Sequence, residues 1–312
     1  MSATLVIGRY SETDQAALST AFSTVQITSM SELPLIGVEQ RAGIRAVAYK
    51  GHAPFGDAEM ALLPALGLIA NYGVGYDAID TKAATPRGIK VTNTPDVLND
   101  DVADLAVALL LAQGRELVQA SHTVRSGAWA SGTDYGLTRK ISGGTAGILG
   151  LGRIGREIAY RLAAFKMDIH YYSRSEKQTP GWTYHADPVS LATAVDYLII
   201  ALVGGAETEK LVSADVINAL GPRGIFINIA RGSTVDEAAL LDALEQGHIA
   251  GAGLDVFLNE PQIDQRFYAL QNVVLQPHQG SATAETRAAM GQLQRDNIAA
   301  FLAGQPLLTA VN

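Results

Sequence analysis

Short β-rich runs recur along this chain with helix-patterned stretches between several of them, and that alternation limits the fold more than any other feature. An early group reads TLVIG (4–8), TVQIT (24–28), IRAVAY (44–49), LGLIAN (66–71) and IKVTN (89–93). A later group reads TAGILG (145–150), DIHYYS (168–173), DYLIIAL (196–202), GIFINIA (224–230), AGLDVF (252–257) and NVVLQP (272–277). Strands spaced by helices predict parallel sheets covered by helices, an α/β fold. The central runs are nearly continuous in apolar residues, as strands covered on both faces require.

The two groups are separated by Asp96 to Gly127, read as one long helix that Asn99 or Asp100 can cap. Its first turn is acidic, which suits the helix dipole, and its apolar residues reach around much of its circumference. A last helix, about Thr283 to Ala303, carries the chain back to the first domain. The expected organisation is therefore a discontinuous domain of 1–97 plus 284–312, and a second domain of 98–283.

Bulk properties narrow the function. A content of 48% hydrophobic and 17% charged residues supports buried cores and argues against disorder. A net charge of −8 disfavours nucleic acid as a partner. The longest uninterrupted apolar run, Leu105 to Ala112, is too short to span a bilayer, and the opening MSATLVIGRY reads as a strand rather than a leader. The chain has no cysteine, which excludes disulfides and thiolate metal sites and fits a reducing compartment. A cytoplasmic protein acting on neither membrane nor nucleic acid is the expectation.

Chemistry first shows at Gly150-Leu151-Gly152-Arg153-Ile154-Gly155. This G-x-G-x-x-G follows a strand and opens a helix patterned Ile154, Ile158, Leu162, the context that makes the motif informative. Gly150 permits a tight turn, Gly152 lets the backbone approach a pyrophosphate, and Gly155 lets helix and strand pack closely. Amides at the helix start then point at phosphate. The alternative is a turn whose glycines serve packing alone.

A site for NAD places an acid at the end of the next strand to hold the ribose 2′-hydroxyl. Here that strand ends in Tyr172-Ser173-Arg174-Ser175, and Asp168 stands at the opposite end. A guanidinium flanked by hydroxyls suits a 2′-phosphate, so NADPH is the expected cofactor, with NADH used less efficiently.

Three polar residues follow late strands, where an α/β sheet keeps its ligands: Arg231, Glu260 and His278. His278 suits proton donation, Glu260 can orient its ring, and Arg231 can grip a carboxylate and polarise a carbonyl. Spacing alone leaves a bland reading of each open, and five other histidines compete. No pair of them has ligand spacing, so no metal site is expected.

The segments NYGVGYDAID, VTNTPDVLNDDVADLAVALLLA, GILGLGRIG, INIARGSTVDEAALLDAL, GAGLDVFLNEP and NVVLQPHQGSAT raise these readings together. On them the chain resembles the D-isomer-specific 2-hydroxyacid dehydrogenase family over essentially its whole length, in its glyoxylate/hydroxypyruvate and hydroxyphenylpyruvate reductase branch. The resemblance implies a flavodoxin-like substrate domain and a Rossmann cofactor domain with the active site between them, and a homodimer formed through the cofactor domain. It implies that Arg231 binds substrate and that Glu260 and His278 form the acid–histidine pair. It further implies that Val74 and Gly75 hold the substrate carboxylate through backbone amides and that Asp255 contacts the nicotinamide. Val203, Ile229, Ala230 and Gly280 would line the cofactor. The expected reaction is reduction of a small 2-oxo acid, glyoxylate or hydroxypyruvate, to glycolate or D-glycerate. Rivals are reduction of bulkier acids such as hydroxyphenylpyruvate or 2-ketogluconate, and a non-catalytic dinucleotide-sensing corepressor. The chain departs from the family at Leu202 to Thr208, which leaves the adenosine side open, and the 48–56 loop does not identify a substrate.

Overall fold

A computed structural model describes residues 3–312. The chain divides into two compact units, Met1–Leu98 with Thr283–Asn312, and Asn99–Ala282.

The first unit is built on five parallel strands, β1 (Ala3–Ile7), β2 (Thr24–Ile27), β3 (Ile44–Tyr49), β4 (Leu68–Asn71) and β5 (Lys90–Thr92). Their order is β2-β1-β3-β4-β5, the flavodoxin-like doubly wound order. Because successive side chains point to opposite faces, the central strands β1, β3 and β4 feed two cores. Leu5, Ile7, Val47, Tyr49 and Ile69 pack with Phe55 and Met60 on one face. Val6, Ala46, Ala48, Leu68 and Ala70 pack with Leu18 and Ile298 on the other. Ile298 lies on the final helix, Ala284–Leu302, whose first turn is capped by the Thr283 hydroxyl accepting the Thr286 amide at 3.2 Å.

The second unit holds seven parallel strands: β6 (Thr145–Leu149), β7 (Asp168–Tyr172), β8 (Thr183–His185), β9 (Tyr197–Ile200), β10 (Ile225–Asn228), β11 (Gly251–Leu254) and β12 (Val273–Leu275). Their order is β12-β11-β10-β9-β6-β7-β8. Strand order reverses between β6 and β9, the switch point beside which a Rossmann sheet binds its ligand. The edge strand β8 was not among the expected runs. It has three residues, Thr-Tyr-His, and no apolar pattern to betray it. Its His185 lies against His170 of β7, with 2.9 Å between ring nitrogens.

The long helix expected over 96–127 is two helices, Asn99–Gly114 and Leu117–Arg125. The break falls at Glu116, whose φ of +49° is left-handed and ends the first helical path. The acidic start of the first helix does more than face a dipole. Asp100 and Asp104 bind Arg161 of the helix Arg153–Ala164 at 2.7 and 2.6 Å, and Glu157 joins at 2.8 Å. That network ties the glycine-turn helix to its neighbour.

Candidate functional site

In the second unit, Gly150, Ser173, Val203, Arg231, Glu260 and His278 all follow the C-terminal ends of strands, so parallel pairing gathers them along one sheet edge. The glycines there have distinct tasks. Gly150 has φ +109°, and a Cβ on it would stand 2.6 Å from the Ala201 carbonyl oxygen. A Cβ on Gly155 would stand 2.1 Å from the Gly150 oxygen, so the helix sits on its strand only because that carbon is missing. Gly152 differs from both. Its φ and ψ of −85° and −157° suit any residue, and a Cβ there would meet nothing within 4 Å. Protein packing does not require glycine at this helix N-cap, whereas close approach of a pyrophosphate does. Leu151 is buried beside it, and Arg153 and Ile154 open the helix.

After β7, the Ser173 hydroxyl donates to the Ser175 carbonyl at 2.6 Å and shapes the turn. The Arg174 side chain is 91% exposed and touches Glu207 at 3.4 Å. So exposed a pair holds its partners weakly, and Arg174 can exchange Glu207 for a phosphate. Val203 is exposed, and its carbonyl accepts the Thr208 hydroxyl at 2.6 Å.

His278 and Glu260 meet directly, with 2.7 Å between Nδ1 and Oε2. The other carboxylate oxygen of Glu260 accepts the Phe257 amide at 2.8 Å, so the acid is held by backbone on one side and presents itself to the ring on the other. His278 has φ +56°, a left-handed conformation sustained by its own amide donating to the Asp255 carbonyl at 2.9 Å. Asp255 is 2% exposed, and its carboxylate accepts the Gln279 and Gly280 amides at 2.6 and 2.8 Å. Burial raises its pKa, while those two amides and His278 oppose the rise. Asp255 thus holds the turn that carries the histidine.

Arg231 stands one turn earlier along the edge, after β10. Its Nη1 donates to the Ala230 carbonyl at 2.7 Å. Buried Asn228 clasps the same turn, accepting the Ala230 amide at 3.0 Å and donating to the Arg231 carbonyl at 3.1 Å. Ile229 and Ala230 are buried within it. The next residue, Gly232, lies against the loop that bears Glu260: a Cβ on it would stand 2.0 Å from the Phe257 carbonyl carbon.

In the first unit, β4 runs into the Val74–Gly75 loop. Asn71 Nδ2 donates to the carbonyls of Gly73 and Gly75 at 3.0 and 2.8 Å, and Asn93 Nδ2 to that of Val74 at 2.8 Å. With the carbonyls engaged this way, the Val74 and Gly75 amides have no hydrogen-bond acceptor among the described residues. Unpaired amides of this kind suit an anion.

Comparison with known proteins decides the family. Residues 107–280 match the model of the D-isomer specific 2-hydroxyacid dehydrogenase, NAD binding domain. The chain is 46% identical to the hydroxyphenylpyruvate reductase of Plectranthus scutellarioides, over 87% of each protein. It is 44% identical to a glyoxylate/hydroxypyruvate reductase A of Arabidopsis thaliana, over 94% of each. The chain belongs to the D-isomer-specific 2-hydroxyacid dehydrogenase family. The fold agrees: the NADPH-dependent glyoxylate/hydroxypyruvate reductase of Sinorhizobium meliloti, solved in complex with NADP and malonate, superposes with a TM-score of 0.94 at 44% identity, over 99% of this chain and 96% of that one.

For this dehydrogenase, sequence reasoning named the groups at the strand ends and missed those that hold them. Asn71, Asn93 and Asn228 were missed; each is a buried amide, Asn71 and Asn228 ending β4 and β10 and Asn93 just past β5, and that polarity at the end of an apolar run was the available signal. Glu237 was also missed. It starts the helix Glu237–Glu245, and its carboxylate accepts the Leu258 amide at 2.7 Å, one residue from the amide that holds Glu260. Burial raises the Glu237 pKa, with Asp264 and Glu260 adding to the rise. At the basic turn, Lys177 reaches Ser175 Oγ at 3.4 Å and adds a second cation that the reading of Arg174 left out. Gln279, whose role was open, donates its side-chain amide to the Pro277 carbonyl at 3.1 Å.

Proposed function

We propose that this chain is an NADPH-dependent reductase of small 2-oxo acids, with glyoxylate and hydroxypyruvate as favoured substrates and glycolate and D-glycerate as products. The observation that carries the reading is the 2.7 Å contact of His278 with Glu260 on the sheet edge that bears the glycine turn. A bound nicotinamide would supply the hydride. Glu260 engages Nδ1 and so orients the ring, and His278 delivers the proton to the oxygen on C2 through Nε2. Arg231 grips the carboxylate and polarises the carbonyl, and the unpaired amides of Val74 and Gly75 take the carboxylate from their own loop. Gly150 to Gly155 cradle the pyrophosphate, Asp255 and Gly280 attend the nicotinamide, and Val203, Ile229 and Ala230 line the cofactor. Ser173, Arg174 and Ser175 take the 2′-phosphate, for which the absence of an acid in that turn is the support.

A reading with bulkier 2-oxo acids draws support from the hydroxyphenylpyruvate reductase relative. One assay separates them. NADPH oxidation is followed by the loss of its near-ultraviolet absorbance with glyoxylate, hydroxypyruvate and hydroxyphenylpyruvate, for the wild type and His278→Ala.

 
Rapid turnover of the two small acids, lost in the variant while dinucleotide binding persists, supports the proposal. Preference for hydroxyphenylpyruvate would favour the bulkier class, and no turnover of any 2-oxo acid would refute both.

We further propose a cytoplasmic homodimer formed through the cofactor domain. Among the described residues no helix is long and apolar enough to cross a membrane. In the second unit, Leu117, Val118, Val124, Trp129 and Leu137 are all exposed large hydrophobic residues within one segment, which a second copy would cover. Light scattering that returned the mass of a monomer would refute the dimer.

A further inference from the structure

Beside the amide loop of the first unit stand two cations without an anion of their own. Lys50 follows β3 as Tyr72 follows β4, and the Tyr72 amide donates to the Tyr49 carbonyl at 2.8 Å, so the two residues are neighbours across the strand ends. Lys50 Nζ lies 4.8 Å from the centre of the Tyr72 ring and 5.4 Å from that of Tyr10. The Arg287 guanidinium lies 5.9 Å from the Tyr72 ring as well. Among the described residues neither cation has a side-chain hydrogen bond or an ion pair. The nearby carboxylate, Asp14, is engaged by Arg295 at 3.3 Å and by the Tyr72 hydroxyl at 3.2 Å. Burial lowers the Lys50 pKa, Arg287 lowers it further, and Asp14 pulls the other way. Half-buried cations held by aromatic faces alone gain most from an anionic ligand.

We propose that Lys50, backed by Arg287, is a specificity-determining residue that binds the second carboxylate of dicarboxylic 2-oxo acids. The proposal deepens the reductase reading and rests on its assignment of the substrate carboxylate to the Val74 and Gly75 amides. Lys50 neighbours Tyr72, which stands two residues before Val74, so the cation flanks the strand end from which the amide loop departs, and a short dicarboxylic acid can engage both. Pyruvate and oxaloacetate differ by that one carboxylate, so their ratio reads the contact directly.

The experiment measures kcat/KM for oxaloacetate over pyruvate in the wild type, Lys50→Met and Lys50→Arg, together with calorimetric titration of malonate, which accepts no hydride. The wild type should prefer oxaloacetate. Lys50→Met should lower the ratio by about tenfold or more, the worth of one charge-assisted hydrogen bond, and weaken malonate binding alike, while Lys50→Arg retains most of both. A purely structural role would depress both substrates together. The proposal is overturned if the wild type prefers pyruvate, if the ratio survives Lys50→Met, or if Lys50→Arg loses it equally. If no 2-oxo acid is reduced at all, the reductase reading falls, and the malonate titration alone then decides whether Lys50 binds a carboxylate.

Discussion

One added methyl group tests whether the loops of this site must touch. In Gly232→Ala the new Cβ would stand 2.0 Å from the Phe257 carbonyl carbon, 2.2 Å from its oxygen and 2.3 Å from the Leu258 nitrogen. All three are backbone atoms, so no side chain can swing away to make room. Carbon atoms in ordinary contact stand about 3.5–4.0 Å apart, so the two loops must separate by roughly 1.5 Å. One loop carries Arg231 and the other carries Glu260, and the amide of Phe257 holds Glu260 against His278. A displacement near 1 Å in a reacting constellation can cost about 10²-fold in rate. Overpacking of this kind costs about 1–3 kcal/mol in stability, which the fold should survive. The expectation is a kcat/KM for glyoxylate lowered by about 10²-fold, with the dinucleotide affinity little changed because Gly150 to Gly155 lie on another turn. Steady-state kinetics and fluorescence titration of NADPH measure the two. Full activity in a folded variant would show that the loops tolerate separation and that the contact does not set the site's geometry.

Gly152→Ala is the converse case: its Cβ meets no protein atom, so the thermal midpoint should hold while dinucleotide affinity falls by about tenfold or more. Unchanged affinity would remove the pyrophosphate from this turn. Arg174→Asp should raise the KM for NADPH far more than that for NADH, and an unaltered ratio would mean that the turn does not read the phosphate. Burial raises the Asp196 pKa, but the Thr145 amide and hydroxyl and Arg139 outweigh it and leave the carboxyl below its usual value. A carboxyl lowered in this way stabilises the fold above its unfolded pKa and loses that contribution as pH falls through the folded value. The stability gap between wild type and Asp196→Asn, measured by urea unfolding, should therefore narrow from pH about 7 to pH about 3; a constant gap would refute the assignment.

The sheets were legible because burial on both faces writes apolar β-rich runs: nine of the strands fall within the runs read from sequence, and β1 and β11 each start one residue before theirs. The ends of those runs were less legible, for a reason that concerns function. AGLDVF reads as a strand through residue 257, yet β11 stops at Leu254. Asp255 leaves the ladder and turns its carboxylate to the Gln279 and Gly280 amides. At Gly114 a signal was present: glycine ends the first helix of the second unit, but the apolar pattern around it continued and hid the break. β8 had no such signal, since a three-residue polar edge strand takes its pairing from β7 rather than from its own composition.

The residues of the site divide along the same line. Arg231, Glu260 and His278 could be named because chemistry needs their functional groups and parallel topology puts strand ends on one edge. Their contacts could not, because Glu260 and His278 are 18 residues apart and meet only through the pairing of β11 with β12. The groups that hold the site were hidden for a further reason. Asn71, Asn228 and Glu237 act on backbone amides and carbonyls, which every residue possesses, so no residue type at the other end of the bond marks the partner. A loop built this way writes only half of each interaction into its side chains. That is why a single glycine at 232, where the missing atom is itself the contact, reports on the arrangement more sharply than loss of any one polar group.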